Sequence, residues 1–220
     1  LIAYYCKRKD PNENILIITA DMDLCQLLDD DIMIYNQSMK KYITNKNFKS
    51  YFGFPHDNVL VKKVMCGDVS DNIGNIKGLS EKKFFEIMPE AKTRHVTVNE
   101  IKNRCQTLTE ERAKEKKKPL QVHENILKGV SNKEYEGDFY DINTKIIDLK
   151  NPILTAECKE EMDSMIHAPL DPTDRSFQNL YRLILEYGIE ELMGDTKFAS
   201  FFRPFKRLEE NEKKFYNDNQ

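Results

Sequence analysis

The chain has 220 residues, 40% of them hydrophobic and 32% charged, with a formal net charge of −3. That balance fits a globular chain of one large or two small domains and excludes a disordered one. No apolar run is long enough to cross a bilayer, and no secretory leader is visible, so the expected setting is a cytoplasm without a membrane partner.

Five cysteines (Cys6, Cys25, Cys66, Cys105, Cys158) are odd in number and widely spread, with no CxxC pair. Reduced thiols are therefore the expectation, rather than a disulfide framework or a zinc site. The modest net charge hides an asymmetry. Residues 62–118 carry 14 Lys/Arg against 9 Asp/Glu, whereas residues 131–195 carry 6 against 15. A basic middle can bind phosphate locally although the whole chain is acidic.

In chain order, residues 1–9 read as the end of a helix stopped by "DPNEN". "ILIITA" (15–20) is a β-branched apolar run, expected as a strand buried on both faces of a parallel sheet. A short helix from Asp23 to Leu28 and a second strand, "IMIYN" (32–36), follow, with "KYITN" (41–45) as its hairpin partner. This β-α-β order predicts an α/β fold. Helices are then expected up to Gly53, from Pro55 to Gly67 and over 80–90, with long helical stretches in 97–118. "TKIIDLKNP" reads as an extended segment, 176–194 as an amphipathic helix pair, and the final polar stretch as a fraying tail. The expected organisation is an α/β core over 1–54, a mostly helical region over 55–195 and a tail over 196–220.

Two carboxylate pairs carry the chemistry. Asp21 and Asp23 follow the first strand, where ligand sites of α/β sheets lie. Asp68 and Asp71, in "GDVSDNIGNIKGLSEKK", share a face if they sit on a helical turn. Together they offer hard oxygen donors suited to Mg²⁺ or Mn²⁺. Alone, acidic residues at a strand end such as Asp21 and Asp23 are more often turn formers than ligands, and for Asp68 and Asp71 an N-cap or Asx-turn role competes evenly. The "GNIKGLSEKK" segment reads as two helical pieces joined by tight turns. Its Gly78 and Lys77, Lys82 and Lys83 can hold a DNA phosphate without reading sequence, or can be an ordinary helix hairpin with solvated lysines. The four histidines (His56, His95, His123, His167) are isolated in the sequence and read as core or surface residues.

"TADMDLCQL" resembles the S/T-x-D-x-D-x-x-Q-L block of the 5′ nuclease (flap endonuclease) family, and "GDVSDNIGNIKGLSEKK" resembles its helix–three-turn–helix, here 67–88. "IAYYC" resembles the helix after the family's E-A-D-D motif, and "NTKIIDLKNP" and "LYRLILEYGIEEL" resemble the C-terminal part of its T-even phage ribonuclease H members. The resemblance implies a PIN-like parallel sheet followed by the helical region. It implies Asp21, Asp23, Asp68 and Asp71 as catalytic metal ligands and two Mg²⁺ or Mn²⁺ ions in the full-length parent. Gly78, Ser80 and Lys82, with Lys77 and Lys83 beside them, would grip duplex backbone, and a K⁺ ion would sit on main-chain oxygens of that turn.

The implied activity is 5′→3′ exonuclease, flap endonuclease and ribonuclease H cleavage of DNA duplexes, RNA·DNA hybrids and 5′ flaps in primer removal. The acidic half could serve a single-strand-binding protein or another replication protein, a choice composition does not make. Two departures stand out: Ser80 replaces a usual glycine, and Gly74 stands where proline is common. Family motifs that precede this region are not in the chain, so it is expected to be a C-terminal fragment that by itself binds duplex weakly and cuts poorly or not at all. The alternative is a non-catalytic duplex-binding module of a split nuclease.

Overall fold

The β-branched run Ile15–Thr19 forms strand β1, which pairs in parallel with β2 (Ile32–Asn36) in the register Ile15↔Ile32 to Thr19↔Asn36. The connection, residues 20–31, is long enough for a parallel return and contains a 3-10 turn, Asp23–Leu27. Strand β3 (Lys41–Ile43) closes back on β2 antiparallel, giving the order β1-β2-β3. The computed structural model describes residues 1–166, 168, 177–189, 192, 194, 196–204, 206 and 207. Residues 1–166 and 167–220 form two separate compact units.

In the first unit, α1 (Ile2–Arg8) precedes the sheet, and α2 (Asn45–Phe52) follows it. Thr44 and Asn47 cap α2 reciprocally, and Gly53 ends it at φ +80°, a conformation that favours glycine. Helix α3 (Val59–Cys66) stops at Gly67, and α4 (Glu81–Ile87) starts at the Ser80 cap. Helices α5 (Val98–Lys114), α6 (Gln121–Lys128), α7 (Phe139–Ile147) and α8 (Ala156–Ile166) complete the unit.

Two apolar cores result. The sheet core sets Ile17, Ile34 and Ile43 against Phe48, Phe54 and Val59. The helical core gathers Val61, Val64 and Met65 of α3 with residues of α4, α5, α6 and α7, among them Phe84, Ile101, Ile126 and Phe139. Helix α3 feeds both cores, and Phe85 packs against both. Separately, in the second unit, α9 (Phe177–Glu186) contributes Ile184 to a small cluster with Phe198 and Phe202.

The structure corrects three sequence expectations. Strand β1 is buried on one face only: Leu16 and Ile18 are 45% and 61% exposed, while Ile17 faces the core. A period-2 strand shows its alternate residues to opposite sides, and among the described residues nothing covers the outer one. The segment "TKII" is helical, not extended, as the last turn of α7. Asp138 caps this helix by accepting from the Asp141 N–H at 2.8 Å, and Phe139, Tyr140, Asn143 and Ile147 form its buried face. Residues 73–80 are turns and not a helical piece. Helices α6 and α8 were not foreseen, although Gly129 after α6 and Thr155 before α8, which accepts from the Cys158 N–H, are ordinary end signals. Of the pair expected over 176–194, α9 is described; much of 190–195, the tail beyond residue 207 and His167 lie outside the described residues.

Candidate metal centre

Two loops from the two cores build the site. The first leaves β1. The Asp21 N–H donates to Thr19 Oγ1 at 2.9 Å, and Asp21 Oδ1 accepts the Asp23 N–H at 2.8 Å. This is an Asx turn that aims Asp23 and opens the 3-10 turn. The second joins α3 to α4. Its part 68–73 is pinched shut by two backbone hydrogen bonds, Asp68 N–H to Ile73 O at 3.1 Å and Ile73 N–H to Asp68 O at 2.8 Å. Asn72 takes a positive φ of 59° within it. Asp68 and Asp71 thus converge through a tight turn rather than the helical turn their spacing predicted.

Among the described residues, Asp23, Asp68 and Asp71 each offer an oxygen, all within 4.8 Å of one another. Asp23 and Asp68 are half-buried and Asp71 is exposed. Asp21 is not in this group; it is exposed, and its carboxylate is engaged with the Asp23 backbone.

A lysine that sequence reasoning missed stands inside the cluster. Lys63 of α3 pairs with Asp23 Oδ1 and donates to Asp68 Oδ2 at 2.5 Å. Its hydrogen bond, then that of Ser70, holds the Asp68 carboxyl well below the usual carboxylate range, at about 2. The available signal was its position five residues before Asp68, on the last turn of a helix that ends at the loop.

The turn before α4 gathers the other anticipated residues. Gly78 sits at φ +81°, and Ser80 accepts from the Lys83 N–H at 3.3 Å as the α4 cap. Ser80 is extended (φ −109°, ψ 164°), so a glycine is not needed there. Lys83 Nζ folds back to Gly78 O at 2.9 Å, whereas the Lys82 side chain is 86% exposed. The Lys77 backbone is tied at both ends, N–H to Val130 O at 2.9 Å and O from Asn125 Nδ2 at 2.8 Å, and its residue is exposed. The histidines lie elsewhere: His123 is buried, and His56 and His95 line one cleft of about 370 Å³ together with Gln26 and Asp148. Among the described residues, no helix is long and apolar enough to cross a membrane.

No family model matches the chain. It is 27% identical over 198 residues to a 5′-3′ exonuclease of Mycoplasma pneumoniae, a match covering 87% of this chain and 58% of that protein. It is 38% identical over 77 residues to a 5′-3′ exonuclease of Mycoplasmopsis pulmonis, covering 34% of this chain and 26% of the relative. The chain thus spans little more than half of the first relative and a quarter of the second. Among solved structures, a bacteriophage T5 flap endonuclease in complex with DNA and metal ions superposes with a TM-score of 0.50 and 14% identity, covering 76% of this chain and 53% of that one. The α/β fold is shared with that nuclease.

Proposed function

We propose that this chain, a relative of the 5′ nuclease family, is part of a divalent-metal-dependent nuclease that hydrolyses phosphodiesters 5′→3′ in duplexes and 5′ flaps, DNA or RNA·DNA, during primer removal. The observation that carries the reading is the convergence of Asp23, Asp68 and Asp71 from two distant loops onto one spot. The donor set fits a hard cation: all oxygen, no thiolate or imidazole, and open to solvent on the Asp71 side. Asp23, Asp68 and Asp71 would hold Mg²⁺ or Mn²⁺, with two ions in the complete nuclease. The metal would supply Lewis-acid activation of water and charge stabilisation at the phosphodiester.

The chain's own residues divide the remaining work. Asp21 aims Asp23 through its backbone N–H. Lys63 neutralises the carboxylates and places a cation where an anionic phosphate would otherwise be repelled. Lys77 and Lys82 present charge to a duplex backbone beside the Gly78–Ser80 turn, whose main-chain oxygens are the proposed seat of K⁺. Lys83 is already bonded to one of those oxygens and acts by holding the turn.

The test is Mn²⁺ binding by the chain, followed by calorimetry or by the electron spin resonance of free ion. Asp23→Asn and Asp68→Asn should each weaken binding tenfold or more and Asp21→Asn much less. Unchanged binding in both of the first two would overturn the reading. Because the chain spans 58% of the Mycoplasma pneumoniae relative, complete cleavage is assigned to the larger fold, and the chain alone is expected to bind a duplex with little turnover on a 5′-flap substrate.

A further inference from the structure

The loop carrying Asp68 and Asp71 is held from outside by a segment distant in sequence. Tyr135 Oη accepts the Gly74 N–H at 3.0 Å. Asn132 Oδ1 accepts the Asn75 N–H at 2.9 Å, and the Asn132 N–H returns to Asn75 O at 3.0 Å. Lys133 Nζ reaches Asn72 O at 2.7 Å. From α7, Asn143 Nδ2 donates to Val64 O and to Gly74 O, both at 3.0 Å. That one buried amide ties the end of α3, which carries Lys63, to the far side of the carboxylate loop.

Gly74 fits this arrangement and little else would. A Cβ there would come within 2.8 Å of Tyr135 Oη, 3.0 Å of Ser131 Oγ and 3.1 Å of Asn132 Oδ1. A proline would also remove the N–H that Tyr135 accepts.

We propose that residues 131–143 form a strap whose Tyr135 and Asn143 are positioning residues, setting the Asp68–Asp71 loop at its distance from Asp23. The proposal rests on the metal reading above and adds to it the device that keeps two loops of different cores in register. Tyr135 acts through the Gly74 backbone, whose N–H its hydroxyl accepts. Its ring packs edge-on to Phe139 at 5.2 Å, so Tyr135→Phe removes the hydroxyl and keeps the packing.

Two readouts on the 220-residue chain separate positioning from general stability. In metal-free protein, Tyr135→Phe should quicken amide hydrogen exchange of residues 68–76 about fivefold, the worth of one net hydrogen bond, with exchange in α5 and α2 unchanged. The same variant should weaken Mn²⁺ binding about three- to fivefold. As a second variant, Gly74→Ala should weaken Mn²⁺ binding as well, and less so when combined with Tyr135→Phe, because the nearest of the three clashing oxygens is then gone. Unchanged loop exchange, or faster exchange with unchanged Mn²⁺ affinity, would overturn the proposal. A wild-type chain that binds no Mn²⁺ refutes the metal reading itself, and the strap's purpose with it, before any strap variant is made. The two failures are therefore distinguishable.

Discussion

Replacing Lys63 with methionine isolates the electrostatics of the carboxylate cluster, because methionine keeps most of the apolar stem and removes only the charge. The side chains of Lys63, Asp23 and Asp68 are 16%, 23% and 18% exposed, so the trio is more buried than a surface ion pair. Without the amine, carboxylate oxygens within 4.8 Å of each other face one another unneutralised. The substitution removes the attraction of the amine for each of two carboxylates within ion-pair reach, which for unit charges about 4 Å apart is about 4 kcal/mol at an effective dielectric near 20. Partial solvent access reduces this to about 2 kcal/mol, between the values for exposed and fully buried pairs.

The pH dependence has a definite sign. Lys63 first, then Ser70, lowers the Asp68 carboxyl from its ordinary 3.8 to about 2. A depressed carboxylate pKa contributes stability that is complete above the unfolded value and is lost as pH falls through the folded one. The gap between wild type and Lys63→Met should therefore be widest near neutral pH and close as pH falls from about 4 toward 2. Urea unfolding with EDTA at pH 7 and pH 3, followed by circular dichroism, measures it. Millimolar Mg²⁺ at pH 7 should narrow the gap, since a bound cation replaces the missing one. Equal stability at pH 7 in EDTA, or a gap that grows with acid, would refute the reasoning.

Three other outcomes are expected. Asn58 is fully buried and bonds Ala91 O, Arg94 O and the Val96 N–H at 2.7–2.9 Å, so Asn58→Ala should cost about 2–4 kcal/mol in urea unfolding, and a loss under 1 kcal/mol would contradict the bonding described. At Gly67, φ is +68° and an added Cβ would meet Ile73 O at 2.7 Å; Gly67→Ala should cost about 2 kcal/mol or more and abolish tight Mn²⁺ binding, both readable in one titration series. On the sheet, Ile18→Thr should change stability by less than about 0.5 kcal/mol and Ile17→Thr by about 2 kcal/mol, and thermal melts showing equal losses would contradict a one-sided strand.

Local signals made much of this architecture readable. Strand β1 is an apolar β-branched run, and Gly53 and Gly67 stand where helices stop. What escaped was set by tertiary contact. Whether Leu16 and Ile18 face protein or water depends on what lies over the sheet, which a continuous apolar run does not encode. "TKIIDL" carries β-branched residues and read as extended, yet its helix is decided by the Asp138 cap and by the buried Asn143. Of the four aspartates singled out by spacing and resemblance, Asp23, Asp68 and Asp71 converge and Asp21 does not. Lys63 was not singled out, because its role needs the fold to bring a third segment beside the first two. Tyr135 was equally hidden, while Gly74, noticed only as a departure, turns out to be its counterpart.

Helix α3 has eight residues, with Val59 in the sheet core and Val61, Val64 and Met65 in the helical core. At about 1.5 Å per residue it is a rod of about 12 Å, and tilting it by about 5° about its midpoint would swing either end by about 0.5 Å. That is as much as a ligand set can shift before it stops fitting its ion. A small rotation between the two cores would move Lys63 and the Asp68 loop, which lie at the rod's end. A load on either core would therefore reach the proposed metal site through this lever without touching a carboxylate.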